Sequence, residues 1–240
     1  INKDIVAVKI FDKTGKSDDE LLVIKEEIEI IKHCMHDNII RYLDDFEDEK
    51  YVYVVQEYMN NLDLFNFISN YDLEESDIES IIKQIFSGLN YLRINNIIHR
   101  DIKLTNILID VKKTIIVKIS DFGLAKILRA NEFRSDRVGM ILFSAPEMLM
   151  AKKYSYKVDV WSAGIILYYM IFEKLPYDNE LDDEIIVYKN LINKNYKMLD
   201  DNQDYGKFKK LVYGCLQWDE NVRFSVDYIL KNFNNIVKYE

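Results

Sequence analysis

A short stretch of this chain gathers several side chains that could carry out chemistry. Asp101 and Lys103 lie two residues apart, Asn106 follows closely, and Asp121 stands fifteen residues further on. Carboxylate and amide oxygens bind hard metal ions, a carboxylate can accept a proton, and a lysine neutralises a neighbouring anion. Residues 98–147 are therefore the candidate reactive part of the chain.

Three short motifs lie in this stretch in a fixed order. Residues 99–106 read His-Arg-Asp-Ile-Lys-Leu-Thr-Asn, residues 121–123 read Asp-Phe-Gly, and residues 145–147 read Ala-Pro-Glu. Each motif alone can match by chance and carries little weight. Their order and their compatible distances make the combination specific.

The composition limits the class of protein. A chain of 240 residues can form one large domain or two lobes with separate cores. Its 32 basic and 41 acidic residues give a net charge of −9, which argues against nucleic-acid binding because that function needs a basic face. Cys34 and Cys215 cannot form a disulfide framework, as is typical of a reducing compartment. We therefore expect a cytoplasmic or nuclear protein.

The apolar segments predict no membrane span. The longest apolar run lies within residues 160–172 and is shorter than the roughly 20 residues that cross a bilayer. We interpret it as a buried helix. Residues 1–4 show no basic-then-apolar signal region.

The elements that must position the reactive side chains fall into two groups. Apolar runs rich in β-branched residues predict a small antiparallel sheet with one helix near the N-terminus, and helical periodicity dominates the rest. The predicted strands are 5–10, 39–46 and 51–56, with a hairpin at 107–109 and 115–119, and the predicted helices are 19–35, 64–69, 75–95, 159–173, 184–193, 208–217 and 225–231. Two lobes of unequal size are therefore expected, with an N-lobe at 1–57, a hinge at 58–61 and a C-lobe at 62–240.

Two other interpretations of the N-terminal part fail on spacing. Residues 13–17, Lys-Thr-Gly-Lys-Ser, imitate the end of a P-loop, but Ile10 stands where that pattern requires glycine. His33, Cys34 and His36 lie close together but match no zinc signature. Neither segment predicts a site.

With these motifs in view, the chain resembles the eukaryotic protein kinases over nearly its whole length. Residues 6–9, Val-Ala-Val-Lys, match the lysine strand of that family, and the aspartates of the first two motifs match its catalytic and metal positions. The resemblance places the family's helix glutamate at Glu27, with Glu26 as the alternative. Further matches are Asp159, Trp161, Pro176 and Arg223, the last as the ion-pair partner of Glu147. It implies an α+β, bilobal, protein-kinase-like fold.

The resemblance also implies a reaction, the transfer of the γ-phosphoryl group of Mg-ATP to a protein hydroxyl. Positioning and electrostatic stabilisation dominate this chemistry. Asp101 would accept the proton of the incoming hydroxyl, and Lys103 would neutralise the transferring phosphate. Asp121 and Asn106 would bind Mg²⁺.

A nucleotide site follows from the same resemblance. Lys9 would hold the α- and β-phosphates of ATP and be oriented by Glu27. Ala7 and Leu108 would form apolar walls around the adenine. The remaining predicted residues lie on or just after the connecting strand, namely Gln56 at the back pocket, Glu57 and Met59 with their backbone groups, and Asp63 beyond them.

The acceptor class is predicted by residues 103–106, Lys-Leu-Thr-Asn, which resemble serine/threonine kinases rather than tyrosine kinases. The expected partner is therefore a protein substrate with a Ser or Thr acceptor. Residues 46–48, 63–65, 82–84 and 121–125 are most similar to the calcium/calmodulin-dependent and calcium-dependent kinases. The alternative function is that of a pseudokinase, which would act as a scaffold or an allosteric binding module.

Three departures from the family pattern bear on activity. A G-x-G-x-x-G loop should precede Lys9 by about fifteen to thirty residues, but the sequence begins eight residues before it, so we expect an N-terminus truncated by two strands and this loop. Met140 replaces a threonine that binds the catalytic aspartate and lysine, which predicts reduced or conditional activity. Thr105 and Tyr169 replace acids that bind substrate arginine in basophilic kinases, and Asp63 remains for one upstream basic residue.

Regulation is predicted by Arg100, which precedes the catalytic aspartate. Kinases with this arginine often need an anion on the activation segment to pair with it. Residues 124–144 offer Ser135 as a phosphosite for an upstream activating kinase and Asp136 as a built-in anion. An ordinary polar loop is a third interpretation of this segment.

Overall fold

The computed structural model describes residues 5–60, 62–129, 132–177, 184–193 and 203–239. Asn61, which belongs to the predicted hinge, lies outside the described residues. The other predicted site residues lie within them.

A three-stranded antiparallel sheet forms near the N-terminus. Its strands are β1 (Val6–Asp12), β2 (Tyr42–Glu47) and β3 (Tyr51–Glu57), in the order β1-β3-β2. Burial alternates along β1, so that alternate side chains face opposite sides of the sheet. Lys9 lies on the more buried side, opposite Val54 of β3.

Helix α1 (Asp18–Lys32) packs on this sheet. Ser17 and Glu20 form a capping box that fixes where the helix begins. Ile24 and Ile28 pack against Val54 in a small core. The helix ends three residues before the predicted end at 35, because the chain tightens into a turn in which Cys34 N–H donates to Ile31 O at 3.1 Å.

The rest of the chain is mainly helical and surrounds one large core. Helix α5 is apolar on all sides and is buried along nearly its whole length, as expected for a helix inside a core. The helices are α2 (Leu64–Asn70), α3 (Glu75–Ile94), α4 (Pro146–Leu149), α5 (Lys157–Phe172), α6 (Glu184–Ile192), α7 (Lys209–Cys215) and α8 (Val226–Ile236), with 3-10 turns at Leu104–Asn106, Ile141–Phe143 and Gly206–Phe208.

Two strand pairs accompany these helices. The predicted hairpin is confirmed as β5 (Ile107–Val111) and β6 (Ile115–Ile119). The short strands β4 (Ile97–Ile98) and β7 (Lys126–Ile127) also pair, which the sequence pattern did not predict. Two-residue strands leave no periodic signal, so only the fold can reveal them.

The predicted strand at 39–46 is too long, because β2 begins only at Tyr42. Ile39 and Ile40 are each 1% exposed and belong to the large core. Ile40 N–H donates to Ile119 O at 2.9 Å, which ties this segment to β6. The apolar run therefore reflects burial against the helical part of the chain.

A buried ion pair links the end of the reactive stretch to the loop before α8. Arg223 contacts both carboxylate oxygens of Glu147, at 2.6 and 3.0 Å, and this confirms the predicted pair. The guanidinium also lies over the Trp161 ring at 5.1 Å. Such a two-pronged contact fixes the angle at which the two segments meet.

The fold is α+β, as predicted, with a small sheet and one helix beside a larger helical part. The division of the chain at 1–57, 58–61 and 62–240 stays a prediction. Within the described ranges, each helix is too short or too polar to cross a bilayer.

Candidate active site

Lys9 of β1 contacts two carboxylates at once. Its Nζ donates to Glu27 Oε1 at 2.6 Å and to Asp121 Oδ1 at 2.7 Å. Glu27 can reach it because it shares the buried face of α1 with Ile24 and Ile28. One cation therefore joins β1, helix α1 and the segment that follows β6.

The charges of these three groups follow from burial and pairing. Burial lowers the pKa of Lys9, but the two carboxylates outweigh it and hold that pKa above its usual value. Burial, together with the charge of Asp121, raises the pKa of Glu27 more than Lys9 lowers it. Burial also acts to raise the pKa of Asp121, but the hydrogen bond and charge of Lys9 bring it below its usual value. Lys9 and Asp121 are therefore charged at neutral pH.

Of the two glutamates predicted to partner Lys9, Glu27 makes the contact. Glu26 instead forms an ion pair with Lys126 on β7. Neighbouring helix residues point about 100° apart, so only one of them can face the sheet. The catalytic role of the Lys9–Glu27 pair stays a prediction.

Asp101 is held by two donors in the loop after β4. Lys103 Nζ donates to Asp101 Oδ2 at 2.8 Å, and Asn106 Nδ2 donates to the same oxygen at 2.9 Å and to the Asp101 carbonyl at 2.8 Å. The 3-10 turn Leu104–Asn106 brings Asn106 back towards Asp101. Both side-chain contacts use Oδ2, and Oδ1 takes part in neither.

The backbone of this loop is held by helix α5. The carboxylate of Asp159 accepts hydrogen bonds from His99 N–H at 2.9 Å and from Arg100 N–H at 2.8 Å. Arg100 has a φ of +67°, a conformation that costs a residue with a side chain about 1–2 kcal/mol. Asp159, a family match without a predicted role, stabilises this strained backbone next to Asp101.

The predicted nucleotide residues lie on several elements. Ala7 is half-buried and pairs with Gln56 across β1 and β3. Glu57 ends β3, and its N–H donates to Arg41 O at 3.0 Å. The Glu57 carbonyl would therefore be the backbone group that accepts a hydrogen bond from a bound base.

The remaining predicted contacts follow the connecting segment. Met59 is buried in the large core, and Leu108 on β5 packs against that core. Asp63 forms a bridge with Leu108, and its carboxylate caps α2 by accepting Asn66 N–H at 3.0 Å and Asn66 Nδ2 at 2.7 Å. Capping explains Asp63 without a ligand, and its contact with nucleotide or substrate stays a prediction.

Asp136 on the activation segment lies among three donors. Arg100 Nη1 donates to its Oδ2, and Oδ1 accepts hydrogen bonds from Arg134 Nε at 3.1 Å and Tyr154 Oη at 3.3 Å. Burial acts to raise the pKa of Asp136, but the charges and hydrogen bonds of the arginines lower it to about 2. Ser135 is exposed. Of the two predicted anions, Asp136 is the one that contacts Arg100.

Sequence patterns missed Arg134 and Tyr154 as members of this cluster. Their backbones pair with each other, with Tyr154 N–H donating to Arg134 O at 2.9 Å. Tyr154 is fully buried, and its hydroxyl also donates to the Asp136 carbonyl at 2.9 Å. The backbones of the two segments pair through an isolated bridge rather than a strand ladder, so no periodic signal could reveal the pairing.

Gly139 lets the activation segment, residues 124–144, approach residues 99–106, the predicted catalytic loop. It has a φ of +82°, and a Cβ at this position would lie 2.6 Å from Arg100 O. Met140 follows and is 43% exposed. Met140 has no hydroxyl to bind Asp101 or Lys103, and those two side chains contact each other directly.

The residues that replace substrate-binding acids lie on neighbouring elements. Thr105 is exposed on the turn that packs against α2. Phe65 of α2 and Tyr169 of α5 lie with their ring centroids 6.2 Å apart. This surface offers rings and a hydroxyl where a basophilic kinase would offer carboxylates.

Comparison with known proteins finds a family that matches nearly the whole chain. A family profile described as protein kinase domain matches residues 1–233. Among curated proteins, a probable serine/threonine-protein kinase KIN1 homolog from Enterocytozoon bieneusi (strain H348) is 35% identical over 179 residues, which cover 74% of this chain and 30% of that protein.

Two further relatives match at similar identity. An SNF1-related protein kinase catalytic subunit alpha KIN12 from Arabidopsis thaliana is 36% identical over 177 residues, which cover 73% of this chain and 35% of the relative. Calcium-dependent protein kinase 3 from Plasmodium yoelii yoelii is 36% identical over 211 residues, which cover 87% and 39%. The chain thus spans well under half the length of each of these relatives.

Proposed function

This chain belongs to the protein kinase domain family, and on that premise we propose that it transfers the γ-phosphoryl group of Mg-ATP to a Ser or Thr hydroxyl of a protein. The observation that carries the proposal is the set of contacts among six polar side chains. Lys9 binds Glu27 and Asp121, while Asp101 is held by Lys103 and Asn106. A binding module would have no chemical need for both groups of contacts.

The donor set fits the expected metal. Asp121 offers carboxylate oxygens and Asn106 an amide oxygen, which are the hard ligands that Mg²⁺ prefers. Asn106 uses its Nδ2 to hold Asp101, so its Oδ1 is the atom left for a metal. When bound, Mg²⁺ supplies charge neutralisation to the phosphates of the nucleotide.

Lys9 and Glu27 have different roles in the proposed phosphate binding: Lys9 contacts the phosphates, and Glu27 orients Lys9. Glu27 is nearly buried and holds the ammonium of Lys9 at 2.6 Å, which orients it. The second partner of Lys9, Asp121, is a side chain that is 44% exposed and accessible to a ligand. We infer that Lys9 exchanges this contact for the α- and β-phosphates when the nucleotide binds.

Asp101 receives the proton of the acceptor hydroxyl at Oδ1. Its other oxygen, Oδ2, is occupied by Lys103 and Asn106, which fix the direction of the carboxylate. Lys103 also lies two residues from Asp101, close enough to neutralise charge on the transferring phosphate. The adenine would lie between Ala7 and Leu108, with backbone hydrogen bonds from Glu57 and Met59 and with Gln56 limiting the back pocket.

The proposal also covers the class of acceptor residue, the activation of the protein and its cellular location. Residues 103–106 are typical of serine/threonine kinases, and three relatives carry kinase names, two of them in groups other than the calcium-dependent one. The contact between Arg100 and Asp136 supports activity without phosphorylation of Ser135 by an upstream kinase. The buried thiols of Cys34 and Cys215 are compatible with a cytoplasmic or nuclear location.

The decisive experiment is phosphate transfer from labelled ATP to a library of Ser- and Thr-containing peptides. The matched control is Asp101→Asn, which keeps the shape of the side chain but cannot accept the proton. We expect transfer by the wild type and loss of at least about two orders of magnitude in the variant. Equal transfer by both proteins would refute the proposal. Binding of Mg-ATP without any transfer would favour the pseudokinase alternative.

A further inference from the structure

A groove lined by both apolar and acidic side chains lies on the helical part of the chain, outside the residues assigned to phosphoryl transfer. It has a volume of about 300 Å³ and lies where the end of α2, the start of α3, the end of α5 and the turn before α7 meet. Ile68, Leu73 and Met170 contribute apolar surface to it. A groove of this size is at the small end of the range for ligand sites, about 300–1,000 Å³, and suits a side chain rather than a nucleotide.

The charged groups around this groove all have the same sign. Its charged lining side chains, among the described residues, are Asp72, Glu75, Glu173 and Asp204. These four carboxylates come from three separate segments, with Asp72 and Glu75 on the same one, so the acidity is a property of the assembled surface. A cationic partner would meet favourable potential from every side.

Within the part of the chain that the structure describes, no cation pairs with these four carboxylates. Glu75 accepts a hydrogen bond from Tyr239 Oη, and Asp204 accepts Gly206 N–H at 2.8 Å, but both donors are neutral. Lys207, which adjoins the groove residue Gly206, pairs with Glu79 instead. The carboxylates therefore keep their capacity to attract a cation.

The helix ends around the groove favour the same sign of ligand. Helix α5 ends at the groove, beside Glu173, and the carbonyl end of a helix carries partial negative charge. Helix α3 begins there, but Glu74 and Asp77 close its first turn with a capping box. The Glu74 N–H is thus bound to the Asp77 carboxylate at 3.1 Å, and the acidic first turn disfavours an anion.

We propose that this groove docks a basic segment of a partner protein, with one aliphatic side chain between Ile68 and Leu73 and with flanking Lys or Arg residues beside Asp72 and Glu173. Apolar burial would supply the affinity, and the carboxylates would select the flanking charges. The site is separate from Asp101, and the proposal does not depend on phosphoryl transfer.

The test uses a short fluorescent peptide with one leucine between two pairs of arginines. We expect its anisotropy to report binding, and replacing the leucine by serine to weaken the affinity about tenfold. The double variant Asp72→Asn with Glu173→Gln should weaken binding of the leucine peptide about fivefold. The matched control, Asp37→Asn with Glu49→Gln, removes the same charge from exposed positions elsewhere and should change the affinity less than about twofold.

Three results would overturn the docking proposal. They are no binding of the leucine peptide, equal binding of the leucine and serine peptides, and equal weakening by the groove and control variants. The last result would mean only general attraction to an acidic protein. Phosphate transfer to a short uncharged acceptor peptide, measured on the same proteins, should be unchanged by both double variants. Loss of docking and loss of catalysis therefore appear in separate readouts.

Discussion

The guanidinium of Arg100 donates a hydrogen bond to the carboxylate of Asp136, which ties the catalytic loop to the activation segment. Arg100 also donates through Nε to Leu124 O at 2.7 Å, just after the Asp-Phe-Gly motif. Its own backbone is held by Asp159. Arg100 thus connects the loop that carries Asp101 to residues 124–144 and to helix α5, the segments on which the proposed phosphoryl transfer depends.

Removing the charge of Asp136 should lower activity. Asp136→Asn keeps the size of the side chain but leaves Arg100 without its anionic partner, and a hydrogen bond to a charged group contributes about 1.5–3 kcal/mol. If that energy holds the active arrangement, kcat should fall about tenfold or more. Steady-state kinetics at saturating ATP measures this effect.

The control for that experiment is Ser135→Ala at the neighbouring exposed position. It should leave kcat within about twofold of the wild type, because surface substitutions rarely disturb the structure. If Ser135→Ala abolished activity and Asp136→Asn did not, the activating anion would be a phosphoserine.

The same contact predicts how stability depends on pH. The pKa of Asp136 is lowered from 3.8 to about 2 in the folded protein, so the carboxylate binds protons less readily there than in the unfolded chain. Its contribution is complete above the unfolded pKa and is lost as the pH falls towards about 2. Asp136→Asn should therefore be less stable than wild type at pH 7, and the difference should shrink below about pH 4.

Urea unfolding of the two proteins over a pH series would measure this convergence. A difference in unfolding free energy that stayed constant down to the lowest accessible pH would contradict the predicted linkage to Asp136.

Two adjacent glutamates on α1 provide a matched test of the lysine pair. Glu27→Gln removes the charge next to Lys9 and should lower kcat/KM for ATP about tenfold or more. Glu26→Gln breaks only the pair with Lys126 and should lower it less than about threefold. Equal effects of the two substitutions would argue that Glu27 does not orient Lys9.

Gly139 should tolerate no side chain. Gly139→Ala places Cβ 2.6 Å from Arg100 O and should reduce both the unfolding free energy and kcat. Gly15→Ala is the control, because Gly15 also has a positive φ, +72°, but open space around it. The unfolding free energy of Gly15→Ala should fall only by the cost of a left-handed backbone, about 1–2 kcal/mol. Equal losses in urea unfolding would rule out a clash with the catalytic loop.

Much of the fold could be predicted because the hydrophobic periodicity within a segment indicates its secondary structure. Helix α3, the hairpin β5–β6 and the ends of β3 lie within a residue or two of their predicted bounds. The motif at 99–106 also predicted its own geometry, since Asp101, Lys103 and Asn106 are close in sequence and one turn brings them together.

Contacts between distant segments could not be predicted in the same way. The hydrogen bonds that the Asp159 carboxylate accepts from His99 and Arg100 cross about sixty residues of chain, and the sequence analysis predicted no partner for that aspartate. Tyr154 and Arg134 meet only through the fold, and the apolar residues Ile39 and Ile40 indicated a strand although they fill the large core. A local sequence pattern indicates which residues are buried, but it does not identify which buried groups contact one another.

The anion that contacts Arg100 is part of the polypeptide, and this has a consequence for control in time. A phosphate on a serine can be added by one enzyme and removed by another, whereas the carboxylate of Asp136 is made once, at translation, and no phosphatase can erase it. Under the proposed function, the anion at this position needs no upstream kinase. Phosphoryl transfer would then depend on how much of the protein is present, where it is held and what occupies its surface, and not on phosphorylation of Ser135.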